Sequence, residues 1–227
     1  MDENQTTAMV TLENAEKRNK SVSLSTIQRS EAGAADYVSH LSAGEVKLLA
    51  LIAGKNKLHG DRDSLLIKTI FDGALRISEA LALRPCDVQQ TPDGWLVYIL
   101  GKGAGGKPGT VAISAVTAAE LQAFCYRHKI GETSLIFNVG RSQVFRVVQA
   151  AYDAAGIRQP CQVRDHVGAV HVLRHSGAIA RLAISGNPRA VQEQLRHKSA
   201  QMTLRYLKTI GHDEAMRAQQ NVDIWRE

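Results

Sequence analysis

The chain has 227 residues, 44% of them hydrophobic, a formal net charge of +6 and three scattered cysteines, Cys86, Cys125 and Cys161. That length suits one large domain or a domain with an arm; no apolar run nears the ~20 residues that cross a bilayer, and the polar start Met1-Asp2-Glu3-Asn4-Gln5 is unlike a signal peptide. An odd cysteine count without a CxxC pair predicts a reduced, cytoplasmic protein, and the positive charge favours an acidic partner, nucleic acid being the common one.

Residues 1 to 40 are polar and lack sustained periodicity, which predicts a mobile arm. Order is expected to begin at Ser42-Ala43-Gly44-Glu45, a capping-box pattern, followed by Val46, Leu49 and Ile52 at helical spacing as far as Gly54. A second helix is predicted from about Asp63 to Asp72, and a third with Ile77, Ala80 and Leu81 on its buried side, stopped by Pro85. Trp95-Leu96-Val97-Tyr98-Ile99-Leu100 and Thr110-Val111-Ala112-Ile113 read as two strands joined by the glycine-rich stretch Gly101 to Gly109. Helices resume with Thr117-Ala118-Ala119-Glu120 as a second capping box, then with Val144, Val147, Val148 and Ala151 up to Gly156. A helix from near His171 is expected to end around Gly186, with Pro188 in the first turn of the next. Ala215, Ala218, Val222 and Trp225 share one side of a possible terminal helix. The fold class expected is mainly α with one small antiparallel β-sheet or hairpin.

Four segments carry chemistry. Arg76 stands in Ala74-Leu75-Arg76-Ile77-Ser78-Glu79, with Glu79 one turn on and able to hold its guanidinium. Lys102 lies in Gly101-Lys102-Gly103 at the expected hairpin tip. His171, Arg174 and His175 share one helix, His197 follows in Leu195-Arg196-His197, and Tyr206 closes Thr203-Leu204-Arg205-Tyr206. Two arginines can grip a phosphate, histidines can move protons, and a tyrosine oxygen can attack phosphorus.

Each segment also has an ordinary reading. A helix-start arginine paired with Glu79 and a solvated loop lysine are commonplace. Gly101-x4-Gly106-Lys107 nearly spells a nucleotide-binding loop, but Pro108 stands where a magnesium-binding hydroxyl belongs, which argues against ATP. His171 and His175 have zinc-site spacing, but Val172 replaces the glutamate of a metalloprotease and Arg174 repels a cation, so an anion is favoured. Ala200, Thr203, Leu204 and Leu207 form an apolar stripe that leaves Tyr206 off it, which fits a phenol reaching a substrate and fits partial exposure equally.

Taken together, in this order and spacing, the segments resemble the tyrosine recombinases, or phage-type integrases, over residues 42 to 210. The resemblance implies a catalytic domain at 41–210 that cuts and rejoins double-stranded DNA without metal or ATP, with 211–227 as a tail or helix. Tyr206 would form a 3′-phosphotyrosyl bond, and Arg76 and Arg174 would hold the non-bridging oxygens. Lys102 would protonate the leaving 5′ oxygen, His171 would take the tyrosine proton, and His197 would bond the phosphate, with Glu79 and His175 in support. It also implies a homo-oligomer, a tetramer on DNA, aided by an accessory protein or by docking of the C-terminal segment on a neighbour, and it leaves open the role: phage integration, plasmid dimer resolution or element mobility. Rival readings are a type IB topoisomerase and a DNA-binding regulatory or accessory protein without strand exchange.

Three local departures stand out. Arg196 replaces the glycine usual before the histidine, Gly73-Ala74 displaces the glycine usual two residues before the first arginine, and Lys208 replaces a frequent histidine. Residues 1 to 40 are too short for the core-binding domain typical of the family, so a single-domain member or a fragment is expected.

Overall fold

The structure, a computed structural model, describes residues 38–99, 108–157, 168–197 and 200–220. Most of the expected N-terminal arm, Lys102 with its glycine loop, Cys161, and Val222 with Trp225 lie outside the described residues.

Helix α1 (Ala43–Gly54) starts as the sequence predicts. The Ser42 hydroxyl accepts from the Glu45 amide at 3.2 Å, and Glu45 Oε2 accepts from the Ser42 amide at 2.7 Å. Its buried stripe of Val46, Leu49, Ala50 and Ala53 packs on α2 (Gly60–Asp72), which begins three residues before the expected Asp63. The third helix, α3 (Ile77–Ala80), is a single turn, and Pro85 opens a 3-10 turn (Pro85–Asp87) instead of stopping a longer helix.

The β element is a three-stranded antiparallel sheet in the order β1 (Val88–Thr91), β2 (Gly94–Ile99), β3 (Gly109–Ile113). Val97 pairs with Val88 on one side and with Val111 on the other. Val97, Ile99, Val111 and Ile113 turn the inner face to the core. Strand β1 escaped the sequence reading because Val88-Gln89-Gln90-Thr91 has no apolar alternation. Its signal lay in the turn Thr91-Pro92-Asp93-Gly94, where Gly94 takes a φ of 137°.

Helix α4 (Ala115–Arg127) is capped by Ser114, whose hydroxyl accepts from the Thr117 amide at 3.2 Å, so Thr117 is a buried first-turn residue and not the cap. Helix α5 (Arg141–Ala155) buries Val144, Val148 and Ala151 and ends at Gly156 in the left-handed region, as expected. Helices α6 (Ala169–Ser185) and α7 (Pro188–Leu195) follow, joined through Gly186 and the cap Asn187. Helix α8 (Ala200–Gln220) carries Tyr206 and runs on without a break through Ala215 and Ala218, so the terminal segment is a continuation and not a separate helix.

The face of α8 is the largest correction. Tyr206 is 2% exposed while Leu204 and Leu207 are 49% and 36% exposed, so the buried stripe is Thr203, Tyr206 and Thr209. Tyr206 packs with Val38, Ala74, Ile179, Leu182, Val191 and Leu195 in a second apolar cluster under α6 and α7. The aromatic ring offers more area to bury than either leucine, and its hydroxyl finds a partner there. The chain entering α1 ties α8 to α6: the Val38 amide donates to Thr209 Oγ1 of α8 at 3.0 Å, and the Leu41 amide to Ser176 Oγ of α6 at 2.8 Å.

Helix α6 lies close against α2 because Gly177 sits directly on the Phe71 carbonyl, where a Cβ would collide with backbone. Arg174, three residues earlier on the same face, is thereby carried to the end of α2. Gly177→Ala should destabilise the chain by about 2–3 kcal/mol through overpacking, read as a lower urea midpoint at unchanged slope.

Candidate active site

Three backbone ends meet at one polar junction. Arg181 of α6 donates to the Asp72 carbonyl at 2.6 Å and to the Ala112 carbonyl at 2.9 Å. Gln194 of α7 donates to Gly73 O at 3.0 Å and Ala112 O at 2.8 Å, and accepts from the Ala112 amide at 2.9 Å. The end of α2, strand β3 and helix α7 are thus fixed to one another. Sequence reasoning passed over both residues, since an arginine and a glutamine on amphipathic helices carry no distinguishing pattern.

Arg174 is 2% exposed. Its Nη1 donates to Ala74 O at 2.6 Å and its Nη2 to Leu195 O at 2.9 Å. Both acceptors belong to left-handed turns: Ala74 has φ 47°, and Arg196, directly after Leu195, has φ 53°. The departure at Gly73-Ala74 is therefore a displacement in sequence only, since Ala74 and not Gly73 takes the left-handed conformation. A non-glycine residue there costs about 1–2 kcal/mol. Each turn directs a carbonyl at the buried cation, which would otherwise lack acceptors.

Glu79 gathers the guanidinium groups. Its Oε1 accepts from Arg76 Nη1 at 2.7 Å and lies 2.6 Å from Arg196 Nη2, while Oε2 accepts from the Arg76 amide at 2.7 Å and lies 3.6 Å from Arg174 Nη1. Burial alone would raise the Glu79 carboxyl, but the Arg196 side chain, the Arg76 amide and the surrounding charges outweigh it and hold it below the usual range. Arg76 caps α3 as expected and leaves its side chain 44% exposed, so its outer donors face solvent.

The Tyr206 hydroxyl meets His175 Nδ1 at 2.8 Å, so the imidazole on the phenol is His175 and not His171. His171 stands edge-on to His175 with ring centroids 4.7 Å apart, and His197 stacks on Tyr206 at 6.2 Å while its Nδ1 lies 3.4 Å from Thr203 Oγ1. The structure brings together Arg76, Glu79, His171, Arg174, His175, His197 and Tyr206 from four separate stretches of chain.

Burial pulls His175 down to about 3, reinforced by His171, Arg174, Arg205 and His197; burial and then Arg174, Arg76 and Arg196 pull His197 to about 4. His171 keeps an exposed edge, yet packing and then Arg174, Arg76 and Arg141 hold it below its ordinary value. Burial lifts Tyr206 to about 12 against the opposing pull of Arg174, Arg205 and Arg76. Burial likewise lowers Arg174 to about 10, which leaves it cationic at neutral pH. The resting site is a positive cradle with neutral imidazoles and a neutral phenol: it suits an anion, and its histidines are free to accept protons.

The sequence profile of the phage integrase family matches residues 40–210, and the chain belongs to that family. Tyrosine recombinase XerC of Xanthomonas campestris pv. campestris (strain B100) is 34% identical over 149 residues, 65% of this chain and 44% of the relative. Tyrosine recombinase XerC of Shewanella sp. (strain ANA-3) is 31% identical over 173 residues, 75% of this chain and 53% of the relative. The chain thus spans about half the length of the relatives it matches. Among solved structures, the XerH site-specific recombinase bound to difH substrate in a pre-cleavage complex shares the fold at a TM-score of 0.62, with 24% identity over 84% of this chain and 54% of that one. The catalytic domain of bacteriophage HP1 integrase does so at 0.58, with 19% identity over 81% of this chain and 95% of that one.

The depressed histidines make stability depend on pH. Unfolded histidine titrates near 6.5, so between that value and the folded one the unfolded chain binds the extra protons. Stability is complete above about pH 6.5 and falls as pH drops, by about 1.4 kcal/mol per unit for His175 alone. Denaturant melts at about pH 7 and about pH 5 should show this loss, and His175→Gln should flatten it.

Proposed function

We propose that this chain cleaves and rejoins DNA strands through a covalent phosphotyrosyl intermediate, as a site-specific recombinase or integrase. The observation that carries the reading is the pairing of two guanidiniums on Glu79, Arg76 exposed and Arg174 buried, beside a phenol hydrogen-bonded to a neutral imidazole.

Arg76 and Arg174 hold the non-bridging oxygens of the scissile phosphate, whose negative charge grows as the fifth bond to phosphorus forms. Tyr206 Oη attacks phosphorus, the bond to the 5′ oxygen breaks, and the tyrosine proton passes to an imidazole. With the phenol titrating far above the imidazole, a free phenolate is inaccessible, so the proton leaves as the oxygen–phosphorus bond forms. His175 is the first acceptor in this arrangement, with His171 beside it as the next, in place of the direct role that resemblance gives His171. Burial does most to depress the histidines, and a bound phosphate offsets the part that the arginine charges add, so substrate itself makes the base stronger. His197, stacked on the phenol ring, bonds the phosphate. Lys102, outside the described residues, protonates the leaving 5′ oxygen. The reverse attack by a 5′-hydroxyl reseals the backbone with the bond energy conserved in the ester. Exchange between two duplexes needs four such cleavages with one tyrosine each, so the chain acts as a homo-oligomer on double-stranded DNA.

Incubation with nicked suicide substrates made from its own flanking DNA should give a protein–DNA adduct on denaturing gels. Tyr206→Phe should abolish the adduct, and Arg174→Ala or Arg76→Ala should slow its formation by about 100-fold or more. An adduct that persists in Tyr206→Phe would overturn the assignment. Site-independent relaxation of supercoiled plasmid would point to the topoisomerase reading.

A further inference from the structure

Arg196 occupies a backbone position that glycine would fill at no steric cost. It closes α7 at φ 53° and ψ 43°, a conformation that costs an arginine about 1–2 kcal/mol. Its side chain folds back across Gly109 of β3, where an added Cβ would press into Arg196 Cδ at 2.5 Å. The guanidinium reaches Glu79 Oε1 at 2.6 Å, the same oxygen that takes Arg76 Nη1 at 2.7 Å. Its side chain is 19% exposed, that of Arg76 44%.

The sharing of one carboxylate oxygen decides what this contact does. Glu79 Oε1 takes both Arg76 Nη1 and Arg196 Nη2, so its charge is divided between two guanidiniums. A carboxylate not shared with Arg196 would place its undivided charge on Arg76, closing a pair that competes with phosphate for the same donors.

We propose that Arg196 is a positioning residue of the phosphate clamp that acts through Glu79, taking a share of Oε1 so that the exposed Arg76 guanidinium remains available to the scissile phosphate. The proposal rests on the strand-cleavage reading above. Arg196 holds the carboxylate; Arg76 and Arg174 hold the substrate.

A double-mutant cycle over Arg196→Gly and Glu79→Gln tests it, read by single-turnover cleavage of nicked suicide DNA and by calorimetric binding of orthovanadate. Arg196→Gly should melt no lower than the parent, since glycine relieves the left-handed turn. It should cleave about tenfold more slowly with DNA affinity changed less than about threefold, and bind vanadate about tenfold more weakly. In the Glu79→Gln background both losses should shrink to about threefold or less, because no carboxylate charge remains to be shared. Arg196→Lys should recover part of both. Should Glu79→Gln fail to fold, Glu79→Asp, which shortens the reach to Arg196, closes the same cycle. An equal loss in both backgrounds would overturn the proposal and place Arg196 on the phosphate itself; no loss in either would leave Arg196 a surface pair and overturn it too. If the parent chain forms no Tyr206-dependent adduct, the cleavage reading falls, and the vanadate cycle still decides whether Arg196 works through Glu79.

Discussion

A guanidinium removed from water keeps its charge and must find acceptors for its donors, at a desolvation cost of several kcal/mol. Arg174 finds them on two carbonyls far apart in sequence, Ala74 O and Leu195 O, with the Glu79 carboxylate close by. Much else follows from that requirement. The end of α2 and the end of α7 must both come to α6, and each must turn left-handed to aim its carbonyl. Arg181 and Gln194 then weld the same ends to strand β3. The contact of Gly177 with the Phe71 carbonyl sets how near α6 approaches. Strained backbone at Ala74 and Arg196 is tolerated because it lies where a buried cation makes it worthwhile.

The same cation sets the chemistry of its surroundings. Arg174 appears among the charges that depress His171, His175 and His197 and among those that pull the Tyr206 phenol down against burial. Burial, with a cluster of guanidiniums around one carboxylate, keeps the imidazoles neutral at rest. The tyrosine is held in an apolar cluster with its hydroxyl on His175, and burial keeps it protonated at rest. Segment 38–41 and helix α8 secure that arrangement through Thr209 and Ser176, so the position of the phenol is coupled to the chain that enters the domain.

The departures from the family pattern acquire physical content here. Where a glycine is usual, this chain keeps the left-handed turn and pays for it with alanine at 74 and arginine at 196. The alanine methyl joins the apolar cluster around Tyr206, and the arginine reaches Glu79. At both turns a carbonyl accepts from Arg174.

Sequence by itself determined the helical stretches with clear period and punctuation: α1 from its capping box, α5 and α6 from their glycine ends, α7 from its proline. It also singled out Arg76, His171, Arg174, His197 and Tyr206, which the structure brings together from separate stretches of chain. Composition and local pattern could not determine which face of α8 is buried. Leu204 and Leu207 outrank Tyr206 in apolarity, and only the packing against α6 and α7 shows that the ring, not the leucines, fills the space. Nor could spacing choose between His171 and His175 as the partner of the phenol, since both lie one turn apart on one helix and the choice depends on where α8 docks. Strand β1, an edge strand without apolar alternation, took its identity from pairing with β2. What the tertiary structure decided is in each case a relation between elements distant in sequence, because burial, hydrogen-bond partner and local charge are set by what packs alongside and not by the residue's own neighbours.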